Sequence, residues 1–198
     1  MANSNKDHAL PIYNVGTLSI EVRMRKTSAG ILPYRRRSGR LEVLLVHPGG
    51  PLWARKDLGS WSIAKGEYKE GEDPFQVALR EFFEETGHHP PGPFLPLTGR
   101  RQPSGKLINI WATESECDPF SMVSNTFSME WPKGSGRFQE FPEVDRAEWF
   151  DISEAARRLL PGQRGFLDEL YEKLTGERLQ VLGEPSHAVR SGQAKAKA

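Results

Sequence analysis

The sequence predicts an α/β (α+β) domain, a sandwich of helices around a mixed β-sheet. Two observations predict it. Short apolar runs with strand character recur along the chain, and two stretches carry a clear helical period. The two kinds of element do not alternate regularly, which disfavours a doubly wound parallel sheet. The 198 residues, 37% of them apolar, suit one domain with loose ends. A domain of this size buries roughly 70% of its unfolded surface, enough for a real core.

In chain order, residues 1–24 read as a polar extension, except that TLSIEVRM (17–24) alternates apolar and polar residues like a half-buried strand. Such a strand offers an edge to a second copy, so a homodimer is compatible with it. SAGILPY (28–34) and LEVLLVH (41–47) read as strands, with RRRSGR (35–40) as the turn between them. Residues 47–60 are rich in turn formers and read as a loop, followed by a short strand WSIAK (61–65). DPFQVALREFFEETG (73–87) is the clearest helix: Asp73 suits the N-cap, Pro74 the first helical position, and Gly87 the position past the end. LINIWATE (107–114) reads as a strand and Ser115 to Pro142 as a long polar segment. AEWFDI (147–152) reads as a strand leading into SEAARRLL, and GFLDELYEKL (165–174) as a final helix. The tail from Gly183 is rich in Gly, Ser, Ala and Lys and reads as disordered. The domain is therefore expected over 25–176, with a loose tail at 183–198.

Composition excludes several classes. Twenty-seven Lys and Arg against 26 Asp and Glu give a net charge of +1, which argues neither for a nucleic-acid coat nor for an acidic tail, so a nucleic-acid partner is not expected. No apolar run reaches the roughly 20 residues that span a bilayer. The single cysteine, Cys117, cannot form an internal disulfide, which fits the cytoplasm.

The helix at 73–87 carries the chemistry. At about 100° per residue, Phe75, Ala78, Leu79, Phe82, Phe83 and Thr86 form a core-facing stripe. Glu81, Glu84 and Glu85 converge beside it, with Arg80 as the nearest counter-charge, four residues before Glu84. A solvated acidic face is the ordinary reading of such a cluster. Here the carboxylates outnumber their partners, and clustered oxygen donors suit a hard divalent cation, Mg²⁺ or Mn²⁺.

The wider run GEYKEGEDPFQVALREFFEETGH resembles the Nudix box, G-x5-E-x7-R-E-U-x-E-E-x-G-U, where U is bulky and apolar. Gly66, Glu72, Arg80, Glu81, Glu84, Glu85 and Gly87 all match, and Phe82 fills the first U position; His88 departs at the last. SAGILPYRRR, HPGGPLWARKDLGSWSIAKGEY and QEFPEVDRAEWFD extend the likeness to a bacterial Nudix subgroup described as NTP pyrophosphohydrolases. Ala64 replaces the proline often found before Lys-Gly.

The resemblance implies an α/β/α sandwich that hydrolyses a nucleoside diphosphate linked to another group, with Mg²⁺ or Mn²⁺ bound. It implies metal binding by Glu84, Glu85 and the Gly66 carbonyl, with Glu81 as a further ligand or as general base. It implies that Arg80 orients Glu81, that Glu72 supports the loop, and that Lys65 touches a phosphate. A further carboxylate is expected from the loop after the box, where Glu140, Glu143 and Asp145 are candidates and Glu143 is preferred. Trp53 and Trp131 are candidates to stack on a base, and Arg55 and Arg137 to meet phosphates. Within the family, (d)NTPs and dinucleoside polyphosphates compete as substrates with ADP-ribose, for which Pro103 is the one pointer. A non-catalytic nucleotide sensor is the alternative outside enzymes, and such modules usually lose box glutamates that this chain keeps.

Overall fold

The structure is a computed structural model and describes residues 26–179 except Pro103. The strand expected over 17–24, the extension over 1–24, the tail over 183–198 and the Pro103 signal lie outside the described residues.

The long strand β1 (Thr27–Arg37) is the axis of the fold. It returns antiparallel as β2 (Arg40–Pro48), with Arg37 opposite Arg40. The turn is shorter than RRRSGR suggests. Only Ser38 and Gly39 leave the ladder, both at positive φ (51° and 75°), as a two-residue hairpin turn requires. The three arginines therefore belong to the strand.

On its other side β1 runs parallel to β6 (Leu107–Glu114), and its first half pairs antiparallel with β3 (Ala64–Tyr68), placing Gly66 opposite Ala29. The expected strand over 61–65 starts late: Trp61 and Ser62 make only single bridges, to Leu159 and Val46. Two short strands, β4 (Phe94–Pro96) and β5 (Arg100–Arg101), add to β6. The segment read as polar from 115 to 142 contains a separate hairpin, β7 (Thr126–Glu130) with β8 (Phe138–Pro142). Then β9 (Val144–Asp151) pairs antiparallel with β2. The sheet order is β4-β6-β1-β2-β9, so β9 is an outer strand among the described residues.

Helices cover both faces. Alternation along β2 decides which side chain goes where: Leu41, Val43 and Leu45 join one core, and Leu44 and Val46 the other. The first core is completed by α2 (Ile152–Arg158) and α3 (Arg164–Thr175), through Ala155, Phe166, Leu167 and Leu170. The second is closed by α1 (Pro74–Thr86). No described helix is long and apolar enough to cross a membrane.

Helix α1 begins and ends as its sequence dictates. The Asp73 carboxylate accepts from the Phe75 N–H at 2.9 Å, and Gly87 at φ 73° donates its N–H to the Phe83 carbonyl at 2.7 Å. Its rotation differs from the expected stripe. Val77, Ala78, Phe82 and Thr86 are buried, while Phe83 is 44% exposed and stacks on His89. The buried face is turned by about 60° from the apolar stripe, at roughly 100° per residue. Glu81 and Glu85 consequently sit inside the buried arc rather than beside it.

Candidate active site

The site forms where that arc meets β3. Glu81 lies directly against Gly66, and a Cβ at position 66 would be built into its carboxylate. Arg80 holds Glu81 from outside, its Nη2 donating to Oε1 at 3.1 Å. The same guanidinium reaches Glu72 (3.5 Å) and Glu84 (3.9 Å), so one cation spans three of the box carboxylates. Glu72 also accepts the Lys69 N–H at 2.7 Å. That bond first, and Arg80 second, holds its carboxyl below the usual range. Glu72 thus closes the turn that leads into α1.

Glu85 points inward and accepts the Lys65 N–H at 3.1 Å. Burial pushes its carboxyl up to about 8. The Lys65 ammonium opposes the shift, while Glu81 and Glu143 add to it. Burial likewise lowers Lys65, against the pull of Glu85. The Lys65 ammonium donates to Ser62 Oγ at 2.9 Å.

The loop candidates separate clearly. Glu143 is raised by burial and then by Glu81 and Glu84, so it faces the box. Its N–H donates to the Asn125 carbonyl (2.8 Å) and its carbonyl accepts from Gly49 (2.9 Å), while the Asn125 N–H donates to the carbonyl of Glu84 itself (3.1 Å). Glu140 is exposed on β8. Asp145 is engaged elsewhere, 2.7 Å from Nδ1 of the fully buried His47, whose Nε2 lies 2.9 Å from the Lys56 carbonyl. Sequence reading passed over His47, although the alternation of LEVLLVH places it on the face of Val43 and Leu45, where a polar ring needs partners.

The donor set suits a hard cation, being carboxylate and carbonyl oxygen throughout. Among the described residues, no three His, Cys, Asp or Glu side chains already stand in an arrangement that could hold a metal ion. The reason is local: Glu81 and Glu84 turn toward Arg80, and Glu85 toward the Lys65 N–H. The burial and mutual repulsion of Glu85, Glu81 and Glu143 are what a divalent charge would relieve.

The expected substrate contacts scatter. Trp53 is half-buried with the Lys56 ammonium 4.4 Å above its ring, and Arg55 is exposed beside it. Trp131 and Arg137 close the far end of the β7–β8 hairpin, the Trp131 N–H donating to the Arg137 carbonyl at 2.8 Å. Six residue steps along β7 separate Trp131 from Asn125, about 20 Å at the usual rise. The structure brings Lys65 to the carboxylates and leaves Trp131 and Arg137 a hairpin's length away. What the sequence did not reveal is a cleft of about 610 Å³ beside the box, lined by Arg35, Phe120, Ser124, Val144 and Trp149 among others.

His88, the departure from the box, has a polar reason. Its Nε2 lies 3.2 Å from both the Asp118 carbonyl and Ser121 Oγ, tying the end of α1 to the turn over Pro119–Ser121.

Comparison with known proteins agrees with this geometry. Residues 24–170 match the NUDIX domain family. The chain is 25% identical over 157 residues to an RNA pyrophosphohydrolase of Roseobacter denitrificans, covering 67% of this chain and 86% of the relative. It is 37% identical over 67 residues to an RNA pyrophosphohydrolase of Cereibacter sphaeroides, covering 32% of this chain and 40% of the relative. Among solved structures it resembles a C. elegans Ap4A hydrolase complex, with TM-score 0.51 and 20% identity over 76% of this chain and 99% of that one. The NUDIX domain of Shewanella oneidensis NrtR, solved with ADP ribose, gives TM-score 0.51 and 17% identity over 76% and 89%. Members of this family generally use divalent metals such as Mg²⁺. With all four box glutamates present, three of them on α1, and a family match over most of its length, the chain belongs to the Nudix family, as a hydrolase of pyrophosphate bonds.

Proposed function

We propose that the chain is an Mg²⁺-dependent pyrophosphohydrolase of a nucleoside polyphosphate, a (d)NTP or dinucleoside polyphosphate, with Mn²⁺ able to replace Mg²⁺. The observation that carries this is the convergence of Glu81 on Gly66 and of Glu85 on Lys65, with Glu143 facing both carboxylates, where burial raises two of the three carboxyls. Glu84 and Glu85, with the Gly66 carbonyl, would hold the ion, and Glu81 would join them. A bound divalent ion neutralises phosphate charge and lowers the pKa of the attacking water.

The chain's own residues do the rest. Arg80 fixes Glu81 and Glu84 in register, and Glu72 fixes the loop before them. Glu143 is the base that takes the proton of the water, since it faces the box from a separate loop, and burial with the neighbouring Glu81 and Glu84 makes its carboxylate more basic than a free one. Lys65 meets a phosphate oxygen. Trp53 and Arg55 lie on the loop whose start, Gly49, bonds to Glu143, and from that loop they would meet the substrate. Trp131 and Arg137 would meet only the far end of an extended substrate. The lone, half-buried Cys117 suits a reducing compartment, the cytoplasm.

The names of the relatives support a polyphosphate on a nucleoside or an RNA end. The test is to incubate the protein with Mg²⁺ and, separately, NTPs, dNTPs, diadenosine polyphosphates, ADP-ribose and a 5′-triphosphorylated RNA, and to identify the products. Release of pyrophosphate or phosphate from a polyphosphate, faster than cleavage of ADP-ribose, is expected. Faster cleavage of ADP-ribose would overturn the substrate assignment, and turnover of none would overturn the activity.

A further inference from the structure

We propose that the cleft beside the box binds the base of the nucleotide, with Phe120 as the stacking ring and the Arg35–Trp149 pair as the opposite wall. The inference rests on the nucleotide reading above and gives the base a cleft of its own.

Phe120 is 97% exposed, although it lines the cleft. A single exposed apolar residue is ordinary on a protein surface. This one differs because its backbone is fixed. The Asp118 carboxylate accepts the Phe120 N–H at 3.0 Å, and Ser121 Oγ donates to the Asp118 carbonyl at 2.9 Å. His88 lies against the same turn from the end of α1. A ring kept in water on a rigid turn, at the mouth of a cleft, is ready for a flat partner at little ordering cost.

The opposite wall is equally fixed. The Trp149 N–H of the indole donates to the Cys117 carbonyl at 3.0 Å, and the Arg35 guanidinium lies 4.3 Å over the ring. Arg35 is itself held by Glu42 at 2.7 Å and is only 12% exposed. A guanidinium plane backed by an indole is a good stacking surface for a base.

The cleft also offers hydrogen-bonding groups. Val46 exchanges both backbone bonds with Ser62, on the side of β2 away from β9. By alternation, Leu45 and His47 bond to β9, so their partners Glu148 and Arg146 face inward. Ala147 and Trp149 then direct their N–H and C=O groups off the outer edge of the sheet, along the cleft lining. A donor beside an acceptor complements the polar edge of a nucleobase.

Position relates the cleft to the phosphates. Ser124 and Val144 line it, and the Val144 N–H donates to Ser124 Oγ at 3.0 Å. Their chain neighbours are Asn125, bonded to the Glu84 carbonyl, and Glu143. A base in the cleft would thus sit one residue's width from the wall that carries the carboxylates, and the phosphates would run over α1.

The test is a calorimetric titration of the full chain, with Mg²⁺, by α,β-methylene-ATP and by inorganic tripolyphosphate, which has no base. Wild type is expected to bind the nucleotide at least tenfold more tightly than tripolyphosphate. Phe120→Ala should weaken nucleotide binding by about tenfold, the range of a lost base–aromatic stack, and leave tripolyphosphate unchanged. Phe120→Trp should keep nucleotide affinity within about threefold. The inference is overturned if Phe120→Ala binds the nucleotide within twofold of wild type, if it weakens tripolyphosphate equally, or if wild type binds neither compound. Phe120-dependent nucleotide binding without turnover of any polyphosphate would sink the proposed activity and leave the base site standing.

Discussion

Replacing Glu85 by glutamine should stabilise the metal-free protein at alkaline pH while abolishing its activity. Burial raises Glu85 to about 8 from an ordinary 4.5, with Glu81 and Glu143 adding to the shift against Lys65. The folded state therefore holds this proton more firmly than the unfolded chain does. The sign follows: the contribution of Glu85 to stability is full below pH 4.5, falls as pH rises, and becomes a full penalty above about 8. At about 1.4 kcal/mol per pH unit the ceiling is about 5 kcal/mol. The side chain is not fully enclosed, and solvent reduces this to about 2 kcal/mol. Glutamine keeps the oxygen that accepts the Lys65 N–H, and Glu81 remains as a counter-charge for Lys65. In EDTA at pH 8.5, Glu85→Gln should melt about 4–8 °C above wild type, using about 2–4 °C per kcal/mol for a chain of this size. At pH 5.5 the gap should shrink toward the small remainder left by the lower part of the titration. Added Mg²⁺ should raise the wild-type melting temperature and barely move the variant. A gap independent of pH, or a wild type more stable than the variant at pH 8.5 in EDTA, would refute the reasoning.

Two further substitutions probe the geometry. Gly66→Ala forces a methyl into the Glu81 carboxylate; circular dichroism should remain native while turnover falls more than tenfold. Wild-type turnover would remove Gly66–Glu81 contact from the account. Glu143→Gln should lower kcat well over tenfold and remove the acid limb of the pH–rate profile, with the melting temperature within a few degrees of wild type. An unchanged profile would mean that the base is Glu81.

The sequence was most informative where local chemistry acts alone. Asp73, Pro74 and Gly87 delimit α1 by capping, and the structure places both ends there. The spacing of the box glutamates was equally plain, because a motif needs no knowledge of packing. The rotation of α1 was not legible. Phe83 looked like core, but the neighbouring β3 takes Val77 and Glu81 instead, and only tertiary contact could decide that. The β7–β8 hairpin escaped because every residue of its two strands is exposed or only half-buried, too little burial for an apolar alternation to show. The cleft escaped for a different reason. Arg35, Phe120 and Trp149 are up to 114 positions apart (149 less 35) and meet only through the order of β1, β2 and β9.

The central claim is that α1 presents its glutamates to a divalent ion for the cleavage of a phosphoanhydride. The most direct measurement is the Mg²⁺ dependence of turnover of the best nucleoside polyphosphate, for wild type and Glu84→Gln side by side. Glu84 is suited to this because it is partly exposed and bonds only weakly to Arg80, so its loss should spare the fold. The account predicts saturable activation by Mg²⁺ in wild type, none in EDTA, and at least a hundredfold lower kcat in the variant. Equal turnover in EDTA, or a variant as active as wild type, would contradict it.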